Sequence, residues 1–89
     1  MKIEELRNEI DKIDGEIINL LVRRKKIARN IGEIKKKGKI PILDPSREER
    51  LLKRVLDFAV ERGLNPEYVK KMYDLILTES KHEQEPDKW

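Results

Sequence analysis

Residues 3–34 read IEELRNEIDKIDGEIINLLVRRKKIARNIGEI, and two interleaved heptad series run through them. One series is Ile3, Ile10, Ile17, Arg24 and Ile31; the other is Leu6, Ile13, Leu20, Ile27 and Ile34. Nine of these ten positions hold Ile or Leu. Only a helix gathers such a repeat onto a single face, because a strand would send alternate members to opposite sides. The spacing predicts a helix from about residue 3 to about residue 37, roughly 50 Å long at 1.5 Å per residue. Gly38 is its expected terminator, behind Lys35, Lys36 and Lys37 at the negative end of the dipole.

Outward from this helix, residues 38–45 (GKIPILDP) read as a loop restricted by Pro41 and Pro45, with Ile40 and Ile42 expected to tack it to the core. The next helix spans about residues 46–62 and has two candidate starts. Asp44 before Pro45 reads as N-cap then N1, and Ser46 with Glu49 reads as a capping box. Its apolar face is Leu51, Leu52, Val55 and Ala59, and Gly63 stops it. Asn65-Pro66 caps a third helix, about 66–84, with Val69, Met72, Tyr73, Ile76 and Leu77 on one face. Residues 85–89, EPDKW, are expected to fray. The fold class is all-α: three helices in a single domain over residues 1–89.

The helix lengths do not match within one chain. The first is about twice as long as the other two, each roughly 25 Å by the same rise, and it is also apolar at Ile18, Leu21 and Val22. A homodimer, with two intertwined long helices covered by the short ones, buries that surface economically.

Composition narrows the function. The chain has 89 residues, 44% charged and 37% hydrophobic, with a net charge of +3. Absence of cysteine excludes disulfides and thiolate metal sites, and the single histidine, His82, excludes a histidine-rich one. No apolar run reaches the length of a membrane span, and the charged start MKIEELRNEI lacks a signal-peptide core, so a cytoplasmic protein is expected. Abundant Lys and Glu with one Gln fit a thermophilic source. The basic run KKKGK at 35–39 reads as a solvated helix end rather than a nucleic-acid stripe.

The informative residues break the apolar pattern. Arg24 stands in the seam between Ile17 and Ile31. A guanidinium there requires a carboxylate, a bound anion or a route to water. Lys35 lies eleven residues on, close to three turns, and so shares its face. Glu48, with Arg47 beside it, leans toward the core face of the second helix, where first-turn acidity also suits the dipole. On the third helix the apolar stripe continues as Ser80 and Gln84. Cations, an amide, a hydroxyl and an acid thus project from core faces without a nucleophile–base pair, a metal cluster or a glycine-rich phosphate loop. Such a pocket suits a small hydroxylated polyanion.

These stretches resemble the all-helical class of chorismate mutase: LRNEIDKID, LLVRRKKIARNIGEIK, PILDPSREERLL and LILTESKHEQ occur in that family's order and spacing over about residues 3–84. The resemblance implies an intertwined dimer and the Claisen rearrangement of chorismate to prephenate, in phenylalanine and tyrosine biosynthesis, without a cofactor or metal. It implies that Arg24 binds a substrate carboxylate in its own chain and that Arg7 reaches into the partner's site. Lys35 and Gln84 would stabilise the ether oxygen, Asp44 and Glu48 would lie near the substrate hydroxyl, and Arg47 and Ser80 would complete the site. Rival readings are an isochorismate pyruvate lyase of the same fold and a non-catalytic helical dimerisation module. The heptads alone support the latter, and Arg24 in the seam speaks against it.

Overall fold

The computed structural model describes residues 2–88. Three helices follow in order: α1 (Ile3–Gly38), α2 (Pro45–Glu61) and α3 (Pro66–Gln84). Helix α3 packs against both α1 and α2, and those two do not pack against each other. The molecule measures 56 × 24 × 17 Å, so α1 sets its long axis. Its radius of gyration, 16.2 Å, exceeds the about 12 Å expected of a compact chain of this length.

The helix ends follow from capping. Asp44 Oδ1 accepts from Arg47 N at 3.0 Å, with Pro45 in the first turn. Of the two candidate starts, the Asp44 cap forms. The Ser46–Glu49 box does not, because the helix already begins at Pro45 and leaves Ser46 inside it, where its Oγ accepts from the Arg50 guanidinium at 2.6 Å. Asn65 Oδ1 caps α3 through Glu67 N at 3.0 Å. Helix α2 closes with paired bonds, Leu64 N to Ala59 O and Gly63 N to Val60 O, around Gly63 at φ +76°. This is the Schellman arrangement, in which a residue without Cβ enters the left-handed region freely.

Helix α1 closes the same way with a different residue, and here the expectation is corrected. Gly38 is still helical, and Lys39 takes the left-handed position at φ 55°. Ile40 N bonds Lys35 O at 2.8 Å, and Lys39 N bonds Lys36 O at 3.3 Å. The two bonds offset the steric cost of a side chain there, about 1–2 kcal/mol. The expected tacking of the loop is half right: Ile42 is half-buried but Ile40 is exposed. Pro86–Lys88 form a short 3-10 turn packed against α3 rather than a frayed tail, and Trp89 lies outside the described residues.

The core is small. Ala28, Leu51, Ala59, Val69 and Leu77 are its buried apolar side chains. All nine aliphatic members of the heptad series remain between 41% and 66% exposed. The regular seam of α1 therefore stays largely uncovered within its own chain.

Candidate functional site

One cleft of about 400 Å³ lies where α1, the loop before α2, α2 and α3 converge. Arg24 and Lys35 enter from α1, Asp44 from the loop, Arg47 and Glu48 from the first turn of α2, and Ser80 and Gln84 from the end of α3. Ile31, Leu51 and Leu77 are among its apolar walls. Seven of the eight residues singled out from the sequence meet here.

The exception is Arg7. It lies in the first turns of α1, exposed, with Nη1 2.7 Å from Glu4 Oε1. Seventeen residues of helix separate it from Arg24, about 25 Å at the helical rise. It does not reach the cleft of its own chain.

Charge in the cleft is unevenly matched. Lys81, which sequence reasoning missed, holds Glu48 with Nζ–Oε1 3.0 Å. Its signal was available: Lys81 follows Ser80 and stands one turn before Gln84. Lys35 Nζ donates to the Ile42 carbonyl at 3.2 Å, a backbone acceptor that no side-chain pattern announces. Asp44 is engaged as the α2 cap. Among the described residues no carboxylate pairs with Arg24 or Arg47. The structural ion pair that would explain Arg24 in the seam is absent among them, leaving a half-buried guanidinium on an open cleft.

Gln84 adds a polar mismatch. Its Nε2 makes a long bond of 3.4 Å to Ser80 Oγ, while its Oε1 is buried without a partner. A buried acceptor left unsatisfied costs about 1–3 kcal/mol, and such atoms in native proteins mark sites completed by water or ligand. A half-turn of the amide would give Oε1 to the Ser80 hydroxyl and set Nε2, a donor, in the position of the unpartnered atom.

Behind Gln84, helices α1 and α3 meet closely. Glu83 Oε2 accepts from Arg29 Nε at 2.7 Å, and Lys25 Nζ stands 3.6 Å from Oε1. The Arg29 hydrogen bond holds the Glu83 carboxyl below the usual carboxylate range; partial burial opposes this and the nearby Lys25 charge assists it. No group of His, Asp or Glu among the described residues is arranged to hold a metal ion, and no helix among them is long and apolar enough to cross a membrane.

Fold and site together define an all-helical protein with a cationic, donor-rich cleft suited to a small polyanion. The chain belongs to the type II chorismate mutase family, whose model matches residues 6–85. It is 31% identical over 80 residues to a chorismate mutase of Methanocaldococcus jannaschii, covering 90% of this chain and 81% of that one. A bifunctional chorismate mutase/prephenate dehydratase of Buchnera aphidicola is 40% identical over 74 residues, 83% of this chain. The match spans only 19% of that bifunctional protein's length, and a match to one from Aquifex aeolicus spans 15%. A solved structure, described as a conserved hypothetical protein from Pyrococcus furiosus, is 43% identical with a TM-score of 0.74, covering 92% of this chain and 93% of that one.

Proposed function

We propose that this chain catalyses the Claisen rearrangement of chorismate to prephenate, supplying phenylalanine and tyrosine biosynthesis as a single mutase domain in the cytoplasm. The observation that carries the reading is the convergence of Arg24, Lys35, Asp44, Arg47, Glu48, Ser80 and Gln84 on one cleft. The reaction is unimolecular: the ether C–O bond breaks as a C–C bond forms, with no proton transfer and no covalent intermediate. Its barrier falls when the substrate is held in the compact conformer and when charge growing on the ether oxygen meets preoriented donors.

The roles follow. Arg24 takes a carboxylate of the dianion, and its lack of a protein carboxylate leaves it free to do so. Lys35, steadied by the Ile42 carbonyl, and the Gln84 amide serve the ether oxygen. Asp44 and Glu48 face the substrate hydroxyl, and Arg47 and Ser80 complete the polar wall. Ile31, Leu51 and Leu77 exclude water and so strengthen each of these interactions. Arg7 completes the site of a second copy in a homodimer. The exposed seam of α1 supports this assembly, since a long unpartnered aliphatic stripe is unfavourable in water.

The test is to add chorismate to the purified protein, following loss of its diene absorbance and formation of prephenate, with isochorismate in a parallel reaction. Prephenate from chorismate and no pyruvate from isochorismate is expected. A folded protein inert toward chorismate overturns the reading, and pyruvate release transfers it to the lyase.

A further inference from the structure

Gln84 is the last residue of α3, and the last turn of a helix is where backbone order ordinarily fades. A donor that must meet one oxygen atom is poorly served by such a position unless something holds the helix end. Two contacts with α1 do so, and both lie on the turn that carries Gln84.

The first fixes depth. A Cβ built on Gly32 would stand 2.6 Å from Gln84 Cα and 2.7 Å from its carbonyl carbon. The clash is with backbone, so no rotamer relieves it, and the close approach of the two helices exists only because residue 32 has no side chain. The second fixes rotation. Glu83 precedes Gln84 and projects about 100° around the helix from it. Its carboxylate, 10% exposed, is held by Arg29 and Lys25. Lys25, Arg29 and Gly32 recur at four- and three-residue steps, so one face of α1 carries the whole bracket.

Rotation matters because of leverage. A side-chain tip about 6 Å from a helix axis moves about 1 Å for a 10° turn, and a 1 Å misplacement of a catalytic group can cost on the order of 10²-fold in rate.

We propose that Glu83, clamped by Arg29 and Lys25 beside the close approach at Gly32, is a positioning residue that holds the Gln84 amide in the cleft. The role assigned to Gln84 rests on the mutase reading above, so the experiment separates the two. Gln84 is the only glutamine in the chain, so with 15N introduced at glutamine alone its side-chain amide gives one pair of NMR signals, free of the four asparagines, that reports order without any substrate. In Glu83→Ala the order parameter of that amide is expected to fall from about 0.8 to below about 0.6. With chorismate, kcat is expected to fall about tenfold while KM changes little. In a Gln84→Ala background the same substitution is expected to have no further effect on kcat, and Glu83→Gln, which can still accept from Arg29, should keep most of the parental kcat.

An amide as ordered in Glu83→Ala as in the parent overturns the proposal. So does an equal loss of kcat with and without Gln84, which would show a general structural role. Arg29→Ala breaks the clamp from the exposed side without altering α3 and gives the same readings if Glu83→Ala does not fold. Loosening of the amide in a protein inactive toward chorismate would leave the clamp standing and remove the mutase reading alone.

Discussion

Truncating Ile10 to alanine tests whether the seam of α1 is an interface. Ile10 lies well away from the cleft and is 56% exposed in the single chain. Complete burial of an isoleucine side chain is worth about 1.5–3 kcal/mol, so covering the exposed part contributes about 1–1.5 kcal/mol. Alanine retains a fraction of this, leaving a loss of about 1 kcal/mol per copy. A two-fold interface uses the residue twice, so the dimer is weakened by about 2 kcal/mol, or about 30-fold in Kd. Sedimentation equilibrium across a range of protein concentrations measures this directly. Because assembly and folding are linked, the Tm of the variant should also rise with protein concentration more steeply than that of the parent over the accessible range. A Kd within about threefold of the parent value, or a parent protein that stays monomeric at high concentration, would refute the argument from seam exposure.

Lys35→Ala is expected to lower kcat by at least about 10²-fold, the scale for removing a donor aimed at developing charge; near-parental turnover removes Lys35 from the mechanism. Mixing inactive Arg7→Ala and Arg24→Ala chains is expected to recover activity, because a mixed dimer rebuilds one intact site. No recovery among heterodimers verified by mass spectrometry excludes the cross-subunit role of Arg7. In Gln84→Glu the carboxyl donates only when protonated, so turnover should rise as pH falls toward the carboxylate range and decline about tenfold per pH unit above its pKa. A pH profile equal to the parent's contradicts the donor role.

The helices were legible because their signals are local. A heptad series, an Asx-Pro cap and a glycine stop each act within a few residues, and they locate α1, α2 and α3 to within a residue or two. Where local signals competed, sequence could not decide: Asp44 and Ser46 both qualify as caps, and the start at Pro45 leaves Ser46 inside the helix. Periodicity also placed Arg24 and Lys35 on one face of α1, Glu48 on the core face of α2 and Ser80 and Gln84 on that of α3, and the family resemblance added Arg7 and Asp44 and assigned the roles. Contacts between distant segments were not legible. The Arg29–Glu83 pair joins positions 54 residues apart, and nothing in either neighbourhood announces the other. Lys39 in the left-handed position was missed for a different reason: a glycine one residue earlier is the stronger statistical signal, but the hydrogen bonds of the turn decide.

The proposed homodimer would account for two features of the single chain together. Arg7, which the family resemblance would add to the site, lies outside the cleft of its own chain, and the seam of α1 is exposed. Antiparallel pairing of two α1 helices that sets Arg7 of one copy beside Arg24 of the other must put the two-fold axis midway between those positions, next to Gly15. The same pairing sets Ile10 opposite Leu21, and both are exposed in the single chain. In the proposed dimer, Arg7 and an apolar cover for the seam would arrive with the same helix. Assembly and completion of the site would then be a single event, and a substitution that weakens the seam far from the cleft should lower activity by dilution of the dimer rather than by damage to the chemistry.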